Sequence, residues 1–225
     1  DAINGDIFCL SSGHVALVVY GLLSRSGDFP VSERATFRMI NSRLQGHPAT
    51  HEHLPGVRIA SGSLGQGMSV ACGAALAKKM NGDKHIIYTL HGDGELQEGQ
   101  NWEAIMFAAH HKIDNLIATI DYNGQQIDGP TNLVMNLGSL NDKFKAFGWE
   151  VMEMNGNDLD DVLRVMALAK AATGQGRPIC VLMRTIMGKG VSFMEGTHEW
   201  HGIAPSDKQL EDALNQLPAT VYGDY

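Results

Sequence analysis

"HIIYTLHGDGELQEGQNWEAIMFAAHHKIDNLIATIDYN", residues 85–123, reads as strand, tight turn, helix and strand. "HIIYTLH" (85–91) and "NLIATIDYN" (115–123) are short apolar runs of buried-strand length. "GQNWEAIMFAAHH" (99–111) between them reads as a helix. A strand, a crossover helix and a returning strand form a parallel pair, and both strands then end at one edge of the sheet. The rest of the chain extends the alternation. Helices are expected at "HVALVVYGLLSR" (14–25), at "SERATFRMI" (32–40) behind a Ser32 cap with Glu33 in its first turn, and at the small-residue segment 65–82. A helix at 139–148 leads into a strand at 149–154. A helix capped by Asp158 spans 158–172, and "PICVLMRT" (178–185) is the last strand. This pattern predicts one α/β domain over residues 1–225: a mostly parallel sheet with helices on both faces. The tail "QLPATVYGDY" is expected to be peripheral.

Composition narrows the function classes. Apolar residues are 44%, charged residues 19%, and the net charge is −8. That charge argues against nucleic acid or an anionic membrane as partner, though a phosphate ligand can still be held locally. Cys9, Cys72 and Cys180 are far apart, without a CxxC, and read as reduced thiols of a cytoplasmic protein. No apolar run approaches a membrane span, and no signal peptide opens the chain.

Asp93 sits between Gly92 and Gly94, where a carboxylate gains little from packing. In open α/β sheets ligands bind beyond the carboxyl ends of the strands. Asp93 follows one strand and Asn123 ends the next, thirty residues later, so the crossover brings them to one edge. A carboxylate and an amide oxygen are hard ligands. They suit Mg²⁺, or Ca²⁺, with phosphate oxygens completing the shell. Gly92 and Gly94 allow close approach of backbone, and the helix after them can point its N-terminus at an anion. The sequence therefore predicts that Asp93 holds a divalent metal and that the metal holds a diphosphate.

The motifs around these positions resemble a known family. "GDGELQEGQNWEA", "DYNGQQIDGPT", "SRLQGHP", "GSLGQG", "MGKG" and "WHG" look like those in the amino-terminal half of transketolases. They are most similar to the separate N-terminal subunit of split transketolases, over about residues 7–210. The resemblance implies the thiamine diphosphate-binding fold and two-carbon ketol transfer from a ketose to an aldose, with sugar phosphates as substrates. It implies thiamine diphosphate and Mg²⁺, with Ca²⁺ or Mn²⁺ as substitutes. By position, Asp93, Asn123 and the carbonyl of Gln125 would ligate the metal. Gly92 and Gly94 would lie on the diphosphate. Gly62 and Leu64 would line the aminopyrimidine and thiazolium. His14 and His201 would approach diphosphate and substrate, His47 would bond the sugar's C1 or C2 oxygens, and Glu98 would join a carboxylate network between paired sites.

Other polar residues read more simply. Glu95 is taken as a first-turn acid. His51 and His53 are a solvated loop, and His110 and His111 end a helix, where cations are favoured. Two departures stand out. The family's N-terminal helix with an SGHPG motif, which carries a donor-end histidine, is absent from this chain. The cofactor-activating glutamate belongs to a pyrimidine-binding domain, expected from a C-terminal partner subunit in an α2β2 heterotetramer. His91 stands where an apolar residue is expected. Two alternatives remain: the α subunit of a 2-oxoacid dehydrogenase, which would lack "QGHP" and "LQEG", and a non-catalytic assembly subunit of the same fold.

Overall fold

The computed structural model describes residues 5–218. In chain order the strands are β1 (Ile7–Leu10), β2 (Ile87–Gly92), β3 (Leu116–Tyr122), β4 (Gln125–Gln126), β5 (Gly129–Pro130), β6 (Glu150–Asn155) and β7 (Ile179–Arg184). The helices are α1 (Ala16–Arg25), α2 (Gln66–Met80), α3 (Gly99–His110), α4 (Thr131–Val134), α5 (Leu140–Ala146), α6 (Leu159–Ala171) and α7 (Asp207–Gln216). The main sheet runs β1-β2-β3-β7-β6, and every pairing in it is parallel. β4 and β5 form a small antiparallel ribbon just beyond the end of β3.

The strand sequences bury both faces. Leu116, Ala118 and Ile120 of β3, with Cys180 and Leu182 of β7, share a core with residues of α2, α3 and α5. The alternate residues Ile117, Ile179 and Val181 pack against Val165 and Ala169 of α6. Period-two alternation between two apolar layers is what a doubly covered parallel sheet requires. A separate cluster of Ala16, Tyr20, Phe29, Leu44 and Leu54 anchors α1 to the loops after it. Cys9, Cys72 and Cys180 are free and buried, and burial pushes the Cys9 thiol up to about 11. Among the described residues no helix is long and apolar enough to cross a membrane.

Asp158 caps α6 as expected, accepting from the N–H groups of Asp160 and Asp161. The segment 32–40 differs from its expected helix. Only Val31–Thr36 coils, as a 3₁₀ turn behind Pro30, and Ser32 caps nothing. The backbone then enters the left-handed region at Arg38 (φ 60°) and Asn41 (φ 65°), which no helix tolerates. The Arg38 N–H turns to Leu44 O, and the Glu33 carboxylate grips Arg43 at 2.6 and 2.9 Å. Strand β1 and helix α7 add to the elements that the sequence pattern predicts. The peripheral tail falls largely beyond residue 218, outside the described residues.

Candidate functional site

The carboxyl edge of the sheet carries a cavity of about 380 Å³. His14, Leu64, Gly92, Asp93, Gly94, Glu98, Asn123, Gln125 and His201 all line it. They come from five separate stretches of chain, brought together by the crossovers. Gly62 and His47 do not line it. His47 opens onto a neighbouring depression with Arg38, Gln45 and His51. Its ring nonetheless packs on Gly62, where an added Cβ would collide with it. Gly62 also has φ 114°, a backbone state that favours glycine. Gly13 is fixed similarly, since a Cβ there would stand 2.6 Å from Gly62 N. These contacts press the loop carrying His14 against the loop carrying Gly62 and Leu64.

Asp93 is 2% exposed. Its Oδ1 accepts from Gly94 N at 2.8 Å and its Oδ2 from Gly124 N at 2.7 Å. Its own N–H donates to Asp121 O at 3.0 Å, which ties the turn after β2 to the end of β3. Burial pushes the Asp93 carboxyl up to about 6, with Asp121 adding to the effect against the two N–H donors. Asn123 donates through Nδ2 to Asp121 Oδ2 at 3.2 Å, and its Oδ1 accepts from Gln125 N at 2.8 Å. The Gln125 Oε1 is buried without a protein partner. A buried carboxylate short of positive charge and an amide oxygen with a lone pair to spare suit a hard cation, and the orphaned atom of Gln125 is its side-chain oxygen. Among the described residues no cluster of three His, Cys, Asp or Glu could hold a metal. A set built from one carboxylate and amide oxygens falls outside that class. His51 and His53 belong to no such cluster either, and His51 instead pairs with Glu52 at 3.2 Å.

The turn after the GDG differs from a direct strand-to-helix junction. A 3₁₀ turn, Gly94–Gln97, intervenes before α3. The Gly94 N–H is thus spent on Asp93 rather than left open. A Cβ at Gly94 would stand 2.8 Å from Gln126 Cβ, so glycine lets the β4–β5 ribbon close over the turn.

The rings of His14 and His201 lie side by side, 5.2 Å between centroids. His14 is exposed at the cavity, yet desolvation by the cavity walls lowers its pKa, His201 and His47 lower it further, and Glu95 and Asp121 pull the other way. Burial lowers His201 as well. Both are therefore neutral near pH 7, each able to donate from one ring nitrogen and accept at the other. Glu98 is exposed at the cavity rim, in the cap position of α3 with no capping hydrogen bond.

Glu95 corrects its reading as a first-turn acid. It is 3% exposed and gathers donors from distant loops. Ser11 Oγ and Gly65 N donate to Oε1, the latter at 2.9 Å, and Ser12 Oγ donates to Oε2 at 3.1 Å. His91, fully buried, brings Nδ1 within 3.4 Å of Oε2. Burial alone would raise this carboxyl, but His91, Ser11 and Gly65 together hold it below the usual range. The unexpected histidine of β2 thus stands beside this carboxylate, although its Nδ1 makes no hydrogen bond within the chain. A polar residue inside an apolar strand was the available signal, since buried polar groups need partners.

Comparison with known proteins places this edge in a family. Residues 1–220 match the family described as "Transketolase, thiamine diphosphate binding domain". The chain is 42% identical over 212 residues to one subunit of the apulose-4-phosphate transketolase of Actinobacillus succinogenes, covering 94% of this chain and 75% of the relative. It is 40% identical to a 6-deoxy-6-sulfo-D-fructose transketolase subunit of a Clostridium species, covering 94% and 76%. Among solved structures, the transketolase of Campylobacter jejuni superposes with a TM-score of 0.88 at 35% identity, over 95% of this chain and 34% of that one. A domain-wide match, relatives named as separate subunits and a shared fold lead to one conclusion: the chain belongs to the transketolase family, through its thiamine diphosphate-binding domain.

Proposed function

We propose that this chain is the cofactor-binding subunit of a two-chain transketolase that moves a two-carbon ketol unit from an anionic ketose to an aldose. The observation that carries this reading is the convergence of Asp93, Asn123, Gln125, His14 and His201 on one cavity. Asp93, Asn123 and Gln125 would hold Mg²⁺, with Gly92 and Gly94 against the diphosphate and Gly62 and Leu64 toward the rings. When bound, thiamine diphosphate supplies the nucleophilic carbon and the electron sink for breaking the bond beside a ketose carbonyl. The chain's own residues orient and move protons. His14 and His201, neutral and side by side, can take or give a proton at a sugar hydroxyl. His47, set against Gly62, would bond the C1 or C2 oxygen of the donor. Relatives named for apulose 4-phosphate and for a sulfonated fructose both carry an anionic ketose in their names. An anionic ketose is the shared chemistry.

His47 supplies the test. A lost hydrogen bond to substrate costs about 0.5–1.5 kcal/mol, and more when its partner is left unpaired. His47→Ala should therefore lower kcat/KM for the ketose by roughly two- to tenfold, and up to about a hundredfold if a buried partner is left unpaired, with the cofactor Kd unchanged. Steady-state kinetics and calorimetry on the assembled complex check both. A weakened cofactor Kd with intact donor kinetics would move His47 to the cofactor shell.

The pH dependence of metal binding is a second expectation. In the metal-free chain Asp93 has a folded pKa near 6, above its ordinary 3.8. Its contribution to stability is full below that ordinary value and is lost as pH rises through about 6. A bound cation reverses this by favouring the carboxylate. Mg²⁺-dependent cofactor affinity should then fall roughly tenfold per unit below pH 6. Affinity that is flat from about pH 5 to 7.5 would remove Asp93 from the metal.

A further inference from the structure

Three loops meet at the carboxyl edge of the sheet, and one buried side chain touches all of them. The loop after β1 contributes Ser11 and Ser12 and leads directly to His14. The loop before α2 contributes Gly65, next to Leu64. The turn after β2 contributes Glu95 itself, two residues past Asp93. Glu95 accepts from Ser11 Oγ, Ser12 Oγ and Gly65 N. Ser12 Oγ is shared, because it also accepts from Gly92 N at 2.9 Å. Asn101 Nδ2 donates to Glu95 O at 2.7 Å and fixes the same residue from α3. His91 closes the remaining side, with Nε2 3.0 Å from Thr89 Oγ1. Packing leaves little slack here: a Cβ at Gly67 would run into the Ser11 side chain.

We propose that Glu95 is a positioning residue that locks these loops together and so sets His14 and Leu64 relative to Asp93. This rests on the proposed cofactor site, since only there does the relative placement of those three residues matter. An alanine offers these donors no acceptor. Gly65 N and the two hydroxyls would be released together, and the loops would move independently of the GDG turn. Glutamine keeps one oxygen for Ser11 and Gly65 but turns an NH₂ toward Ser12, so it rescues in part.

Amide hydrogen exchange on the full chain reads this directly, without cofactor or turnover. Glu95→Ala should raise exchange at Gly65 and Gly92 at least roughly tenfold while Ile117–Ile120 of β3 stay protected, and Glu95→Gln should fall between. Should the alanine variant fail to fold, Ser12→Ala should still raise exchange at Gly92. In the assembled complex, Glu95→Ala and Ser12→Ala should each weaken Mg²⁺-dependent thiamine diphosphate binding about tenfold, and the double variant no further than the worse single one. Unchanged exchange at Gly65 and Gly92, or an equal rise across β3, would overturn the proposal, as would additive losses in affinity. A wild-type complex that binds no cofactor would instead count against the proposed function, while the exchange result would still decide the role of Glu95.

Discussion

Asp93→Ala should abolish Mg²⁺-dependent binding of thiamine diphosphate and leave the chain folded. Loss of the one carboxylate in the proposed ligand set removes the anionic hold on the cation, and the diphosphate loses its bridge to the protein. The drop should exceed roughly a hundredfold in affinity, the largest of any single substitution in the cavity. The fold should survive because the ionised Asp93 is itself a burden in the metal-free chain, buried and pushed up to about 6. Calorimetry on the assembled complex, with circular dichroism on the variant, checks both halves. Unchanged cofactor affinity would sink the assignment of Asp93.

The second large effect concerns assembly. This chain spans 34% of the length of the Campylobacter jejuni enzyme it superposes on. Exposed apolar side chains stand around the site, with Ile127 and Ile203 each 63% exposed and Leu133 79%. Apolar surface of this kind beside a polar cavity suits a partner that covers it. The purified chain should therefore bind cofactor weakly and show no ketol transfer. Mixing with a subunit that supplies a pyrimidine-binding domain should restore turnover and produce a heterotetramer by mass measurement. Full turnover by this chain with no second polypeptide detectable would refute the two-chain reading.

Much of the fold is legible in the sequence because apolar periodicity is strong where the sheet is buried on both faces. β2, α3 and β3 fall within a residue or two of the stretches that announce them. β1 escapes such a reading because only four residues pair, and "IFCL" lacks the length that distinguishes a strand from a loop. Helix α7 does carry a signal at its start, where Ser206 and Gln209 form a capping box. Leu210, Ala213, Leu214 and Leu217 also follow helical spacing, so the signal is present; the helix buries only Ala213 and stays outside the alternating strand–helix core from which the fold is legible. The order of strands, with β7 between β3 and β6, is a tertiary choice that no local pattern encodes.

At the site, the meeting of Asp93 and Asn123 at one cavity is legible from their interval, because a crossover of that length has little geometric freedom. Glu95 is not. Its donors Gly65 and Ser11 lie 30 and 84 residues away in sequence, and a carboxylate near a helix start looks the same whether it faces water or the interior. His47 lies between these cases. Pro48 marks its loop as extended, but only the fold sets its ring on Gly62 and opens it outside the main cavity.

The most direct test follows the two-carbon unit itself. The complex, with thiamine diphosphate and Mg²⁺, is given a panel of phosphorylated and sulfonated ketoses labelled with ¹³C at C1 and C2, and an aldose phosphate as acceptor. Ketol transfer requires the two labelled carbons to appear together, still bonded and spin-coupled in the NMR spectrum, at the head of a new ketose. Label that stays in every donor, while the same complex releases carbon dioxide from a 2-oxo acid, would contradict the proposed activity.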